Sequence, residues 1–120
     1  GGGGSHVLPT NIHSNYALAV NGKIVAKEVV VTNNDWADYV FEPDYTLLSL
    51  EEVNNHIQLN GYLHNMPSAA EVEENGIELS EMTVMQQEKI EELFLHMIEL
   101  NERMKELEAE NEALKAQINQ

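Results

Sequence analysis

The feature that most constrains this chain is an apolar seam in its last quarter. Ile90, Met97, Met104, Asn111 and Ile118 fall seven residues apart. Leu93, Leu100, Leu107 and Leu114 do the same, so that the two sets alternate in steps of three and four. This is a heptad repeat with the first set at a and the second at d, and Asn111 is its one polar member. A stripe this narrow has nothing on its own helix to cover it. It calls for similar helices alongside, so the chain is expected to self-associate.

Charges beside the seam test the orientation. In a parallel, in-register coil a g residue meets the e residue of the next heptad on its neighbour. Arg103 (g) then faces Glu108 (e), and Glu110 (g) faces Lys115 (e), both attractive. Each exposed pair is worth only about 0.2–1 kcal/mol, so the pairs select register more than they add stability. Asn111 at a is compatible with a dimer or a trimer, and Met97 and Met104 tolerate either.

The 120 residues suffice for one modest domain and a helical stalk. Residues 1–6 read as an artificial linker. No run of about 18 apolar residues is present, so no membrane span is expected. The chain has no cysteine, which removes disulfides and thiolate chemistry. The net charge is −15, and thirteen carboxylates lie between Lys27 and Lys89 with no Lys or Arg among them. Such a surface repels phosphate backbones, so nucleic-acid binding is not expected.

Four segments follow one another. Residues 7–48 read as β-rich. Residues 16–20 alternate, Asn21-Gly22 is a two-residue turn signal, and Ile24, Val25, Val29, Val30 and Val31 resume beyond it. Trp36, Tyr39, Val40, Phe41 and Tyr45 form the main aromatic cluster, and Pro43 interrupts any strand there. Residues 49–79 read as a collar of two short capped helices. Ser49 with Glu52, and Ser68 with Glu71, are capping boxes, and Gly61 and Asn75-Gly76 are stops. Residues 80–120 read as one helix, roughly 60 Å long at about 1.5 Å per residue.

The order of these motifs resembles the C-terminal region of tail-fibre-like or "cell wall anchor" proteins of Bacteroidetes. The resemblance runs through residues 16–29 (YALAVNGKIVAKEV), 36–41 (WADYVF), 45–53 (YTLLSLEEV) and 66–79 (MPSAAEVEENGIEL). It is also distantly similar to the C-terminal chaperone domains that trimerise phage tailspikes. The resemblance implies an α+β homotrimer, with short strands at the end of a fibre shaft, a helical collar and a parallel coiled coil. Its role would be C-terminal trimerisation and capping of a fibre-like protein, extracellular, at the cell surface or on a phage virion. The start of a self-cleaving domain is not matched, so self-proteolysis is not implied.

Candidate chemistry is sparse. His6, His13, His56, His64 and His96 include no pair at i, i+3 or i, i+4, so no zinc site forms from one helix. His96, at g, is expected to face solvent or a neighbour. Glu71, Glu73 and Glu74 lack the spacing of a calcium loop, and Asn33, Asn34, Asp35 and Asp38 come closest to an oxygen-rich one. No nucleophile elbow, phosphate loop or metalloprotease motif occurs, so no enzyme and no cofactor is expected. The alternative is a ligand-binding tip, with Trp36 beside Asp35 and Asp38 meeting a glycan, a cation or a cell-surface receptor. The competing expectation is that Trp36, Tyr39, Phe41 and Tyr45 fill the collar core.

Overall fold

The computed structural model describes residues 16–32, 36 and 39–119. It divides into two units, residues 1–30 and residues 31–120.

The described part of the first unit, residues 16–30, contains neither helix nor strand, and every residue in it is exposed. The second unit holds a 3₁₀ turn, Tyr39–Phe41, followed by α1 (Leu50–Asn60), α2 (Ala69–Asn75) and α3 (Leu79–Ile118). The α+β expectation is therefore overturned: among the described residues the chain is helical, and the β-rich reading of residues 7–48 yields no strand there. The part of that reading on residues 7–15 lies outside the described residues, as does the linker.

The reason lies in the turn and in the lack of a face to bury. A two-residue hairpin needs positive φ at its first central residue, or at both. Neither Asn21 nor Gly22 adopts it; positive φ occurs at Gly61, Asn65 and Gly76 among the described residues. The flanking apolar residues have nothing to pack on, Val25 being fully exposed. Alternation makes a strand only where one face is covered and a neighbour supplies the ladder.

The collar helices form where their caps place them. The Ser49 side chain accepts from the Glu52 backbone N–H, and the Glu52 side chain accepts from the Ser49 N–H, both at 3.1 Å. Ser68 and Glu71 repeat the arrangement at the start of α2. α1 ends at Gly61, left-handed at φ 79°, whose N–H donates to the Ile57 carbonyl. α2 ends at Gly76, at φ 73° and ψ −170°, a region that only glycine enters freely. A Cβ at Gly76 would meet no atom within 4 Å, so the strain of Gly76→Ala is purely that of the backbone. That variant is expected to lower stability by about 1–3 kcal/mol in denaturant titration, with no change in assembled mass.

α3 is 40 residues long and starts at Leu79, within a residue of the expected position. Its N-cap, Glu78, makes no side-chain cap bond. Glu81, in the first turn, shares a hydrogen bond with Glu78 that raises its carboxyl above the usual range. The 3₁₀ turn makes the most extensive approach to α3 among the elements, and the loops on either side of α1 add side-chain contacts. No helix among the described residues is long and apolar enough to cross a membrane.

Candidate oligomerisation face

Two opposite faces of α3 have exchanged their usual environments. The residues buried on this helix are Glu88, Glu91, Glu92 and His96, at 5–8% exposure. The apolar seam stays open, from 47% exposure at Ile90 to 81% at Ile118. At about 100° per residue, Glu88, Glu92 and Leu95 lie at c and f, opposite a and d. The segment ahead of α1 and the loop after it thus cover the polar back of the helix and leave its apolar front bare.

Tyrosine hydroxyls, a lysine and a histidine make the polar back buriable. Tyr39 donates its hydroxyl to Glu88 and Tyr45 donates to Glu92. The two rings pack together, centroids 5.8 Å apart and planes tilted by 45°. Lys89 Nζ lies 2.9 Å from Glu88 Oε1 and 3.0 Å from Glu92 Oε1, joining the two carboxylates. His64 Nε2 approaches Glu92 Oε1 to 3.3 Å, in ion-pair range but without hydrogen-bond geometry. Asn65, held left-handed at φ 55°, adds a side-chain hydrogen bond to Glu88. Asn is among the residues that tolerate this backbone region. Buried carboxylates are stable only when their lone pairs are met in this way.

The ionisation of the cluster follows from these contacts. Burial alone would raise the Glu88 carboxyl, but the bonds from Tyr39, Lys89 and Asn65 and the Lys89 charge outweigh it and hold it below the usual carboxylate range. The hydrogen bond to Glu88, then burial, push the Tyr39 phenol up to about 12. Burial, then the bond to Glu92, push Tyr45 up as well. A lowered carboxyl stabilises the fold above its unfolded value of about 4.3, and that contribution goes as pH falls through the folded value. A raised phenol stabilises it below about pH 10, and the contribution goes as pH rises toward the folded value. Near-UV circular dichroism of the tyrosines is therefore expected to hold between about pH 5 and 10 and to fall outside that window. Tyrosinate absorbance is expected to keep growing to about pH 12.

His96 corrects an expectation. It is buried rather than facing solvent, because the segment leading into α1 lies over the g side of α3 at that height. His56, in α1, packs edge-on to Tyr62 and to His64, with centroids 5.6 and 6.2 Å away. Its Nε2 and both ring nitrogens of His64 are buried without a hydrogen-bond partner. No group of three or more His, Asp or Glu side chains suited to a metal ion occurs among the described residues.

The aromatic cluster does not close into a core. Tyr39 and Tyr45 serve the polar cluster, Tyr45 being half-buried, while Trp36 is 51% exposed and Phe41 is exposed too. Asp35 and Asp38, the other members of the candidate ligand set, lie outside the described residues. Val40, 2% exposed, is the one buried apolar side chain among the described residues.

The seam charges make local bonds in the single chain. Arg103 pairs with Glu106 at 3.0 Å and Lys115 with Glu112 at 3.9 Å, all well exposed. Such i, i+3 pairs are worth about 0.2–0.5 kcal/mol.

No protein-family model, no curated protein and no solved structure matches this chain. A long exposed helix, apolar along one edge and covered on the other, is the form of an oligomerising helix.

Proposed function

We propose that this chain is a self-association module: α3 of each copy joins those of its neighbours in a parallel, in-register coiled coil that sets chains side by side. The observation that carries this reading is the inversion on α3. A unit of this size with Val40 as the one buried apolar side chain among its described residues does not offset the conformational entropy of folding. The apolar surface that would do so lies along Ile90, Leu93, Met97, Leu100, Met104, Leu107, Leu114 and Ile118, and it is exposed.

Three copies fit better than two. Phe94 (e) and Ile98 (b) widen the apolar arc beyond a and d at the upper end of the coil. A strict two-stranded seam leaves such positions in water, whereas an added strand covers more of each helix. The role that follows is registration. Helix contacts are local in sequence and form early, and joined helices raise the effective concentration of whatever precedes them. This suits a terminal trimerisation and capping module of a fibre-like protein, secreted or phage-derived. Light scattering coupled to size exclusion tests it. A mass of three chains is expected, two would favour a zipper-type dimer, and one would end the proposal.

A glycan- or cation-binding tip is the second reading, and the exposure of Trp36 favours it. It requires Trp36 fluorescence to shift on adding glycans or calcium. An unresponsive tryptophan removes it.

A further inference from the structure

The lysine of the buried cluster stands at the edge of the seam. Lys89 is at g, and its ammonium is held by Glu88 and Glu92 of its own helix, at 2.9 and 3.0 Å. Its side chain is 11% exposed. Position g lies between the covered back of α3 and the open seam, so a neighbouring helix approaches Lys89 from the seam side. In a parallel coil the g residue meets the e residue of the next heptad on that neighbour. For Lys89 this residue is Phe94, 56% exposed in the single chain. We propose that Phe94 of a second copy lies over the Lys89 side chain, so that each copy closes the charged cluster of its neighbour. This rests on the parallel self-association proposed above.

Register and charge argue for this occupant. Phe94 is the one apolar e residue between Ile90 and Ile118; the others, Asn101, Glu108 and Lys115, are polar or charged. The rungs below it are polar throughout: His96 faces Asn101, Arg103 faces Glu108 and Glu110 faces Lys115. At the Lys89 rung an acidic e residue would compete with Glu88 and Glu92 for the ammonium and leave buried carboxylates unpaired. An aromatic ring does not compete. Its negative face attracts the ammonium, and it packs on the apolar methylene stem of the lysine. The gain is mutual: Phe94 leaves water, and the last open part of the cluster is shielded from it. Antiparallel helices put g against g and e against e, so only the parallel arrangement brings the two side chains together. Lys89 then serves both faces of α3, its ammonium on the polar back and its stem on the assembly edge, and the buried cluster is linked to association.

Isotope-filtered NMR tests the contact. Chains labelled on lysine and leucine are mixed unfolded with unlabelled chains and refolded together. Magnetisation transfer from the Lys89 methylenes of labelled chains to the Phe94 ring protons of unlabelled ones is the expected result, and Phe94→Leu is expected to abolish it. Transfer from labelled Leu107 methyls to those of unlabelled Leu107 reports the parallel seam. A seam signal without any signal between Lys89 and Phe94 would overturn the contact while leaving parallel self-association standing. Absence of both would remove the association itself and the contact with it. In addition, Phe94→Ala is expected to weaken assembly about tenfold in wild-type background, and far less beside Lys89→Ala. Equal losses in both backgrounds would show that the two side chains do not meet.

Discussion

Leu107→Asp is expected to yield a protein that elutes at the mass of one chain. Leu107 sits at d, in the stretch of α3 beyond the buried cluster, and is 49% exposed. A change there leaves the single-chain contacts intact, so its effect reports on association. Each copy loses the burial of a leucine, about 1.5–3 kcal/mol, and places a carboxylate in an apolar seam. Over three copies the burial loss alone is roughly 6 kcal/mol, about four powers of ten in the dissociation constant of a trimer and about two in the concentration at which chains assemble. Helicity is expected to drop with the mass, because isolated helices are marginal in water and gain most of their stability from packing. Leu107→Met, which keeps the volume, is expected to hold the wild-type mass. An unchanged mass and melting point for Leu107→Asp would place the interface elsewhere.

Glu92→Ala is expected to have the second-largest effect, of a different kind. Glu92 accepts from Tyr45, pairs with Lys89 and lies 3.3 Å from His64, at 5% exposure. Its removal strands a half-buried phenol and half-frees a largely covered ammonium. The cost is about 2–3 kcal/mol in denaturant titration, since leaving partners unpaired is worse than never burying them. Combined with Tyr45→Phe, the loss is expected to be less than the sum of the two single changes, because one partner then has nothing left to miss. The assembled mass is expected to stay as in the wild type. A loss below about 0.5 kcal/mol would mean that the collar does not rest on this cluster.

The contrast between these two variants separates what each face of α3 does. The front is apolar, local in pattern and repeated. The back is polar and singular, and the loop partners that satisfy it lie 23 to 49 positions earlier in the chain, from Tyr39 to Asn65. Both lie on one helix because a straight α-helix presents its residues all round, and heptad positions f and c fall opposite a and d.

The seam, the two capping boxes and the helix stops were legible in the sequence because each depends on residues within seven positions of one another. Ser49 needs only Glu52, Gly61 only the turn before it, and Leu100 only its neighbours at a and d. The hairpin at Asn21-Gly22 failed because a turn signal states a preference that a covered face must complete, and residues 16–30 bury nothing. The cluster of Tyr39, Tyr45, His64, Asn65, Glu88, Lys89 and Glu92 carried no spacing signal, as its members are brought together only by docking of the collar. Local pattern alone determined where the helices begin and end and which edge of α3 seeks company. Only the tertiary structure decided that the collar would take the charged edge, because the pairing of buried carboxylates with distant hydroxyls is a matter of space, not of sequence order.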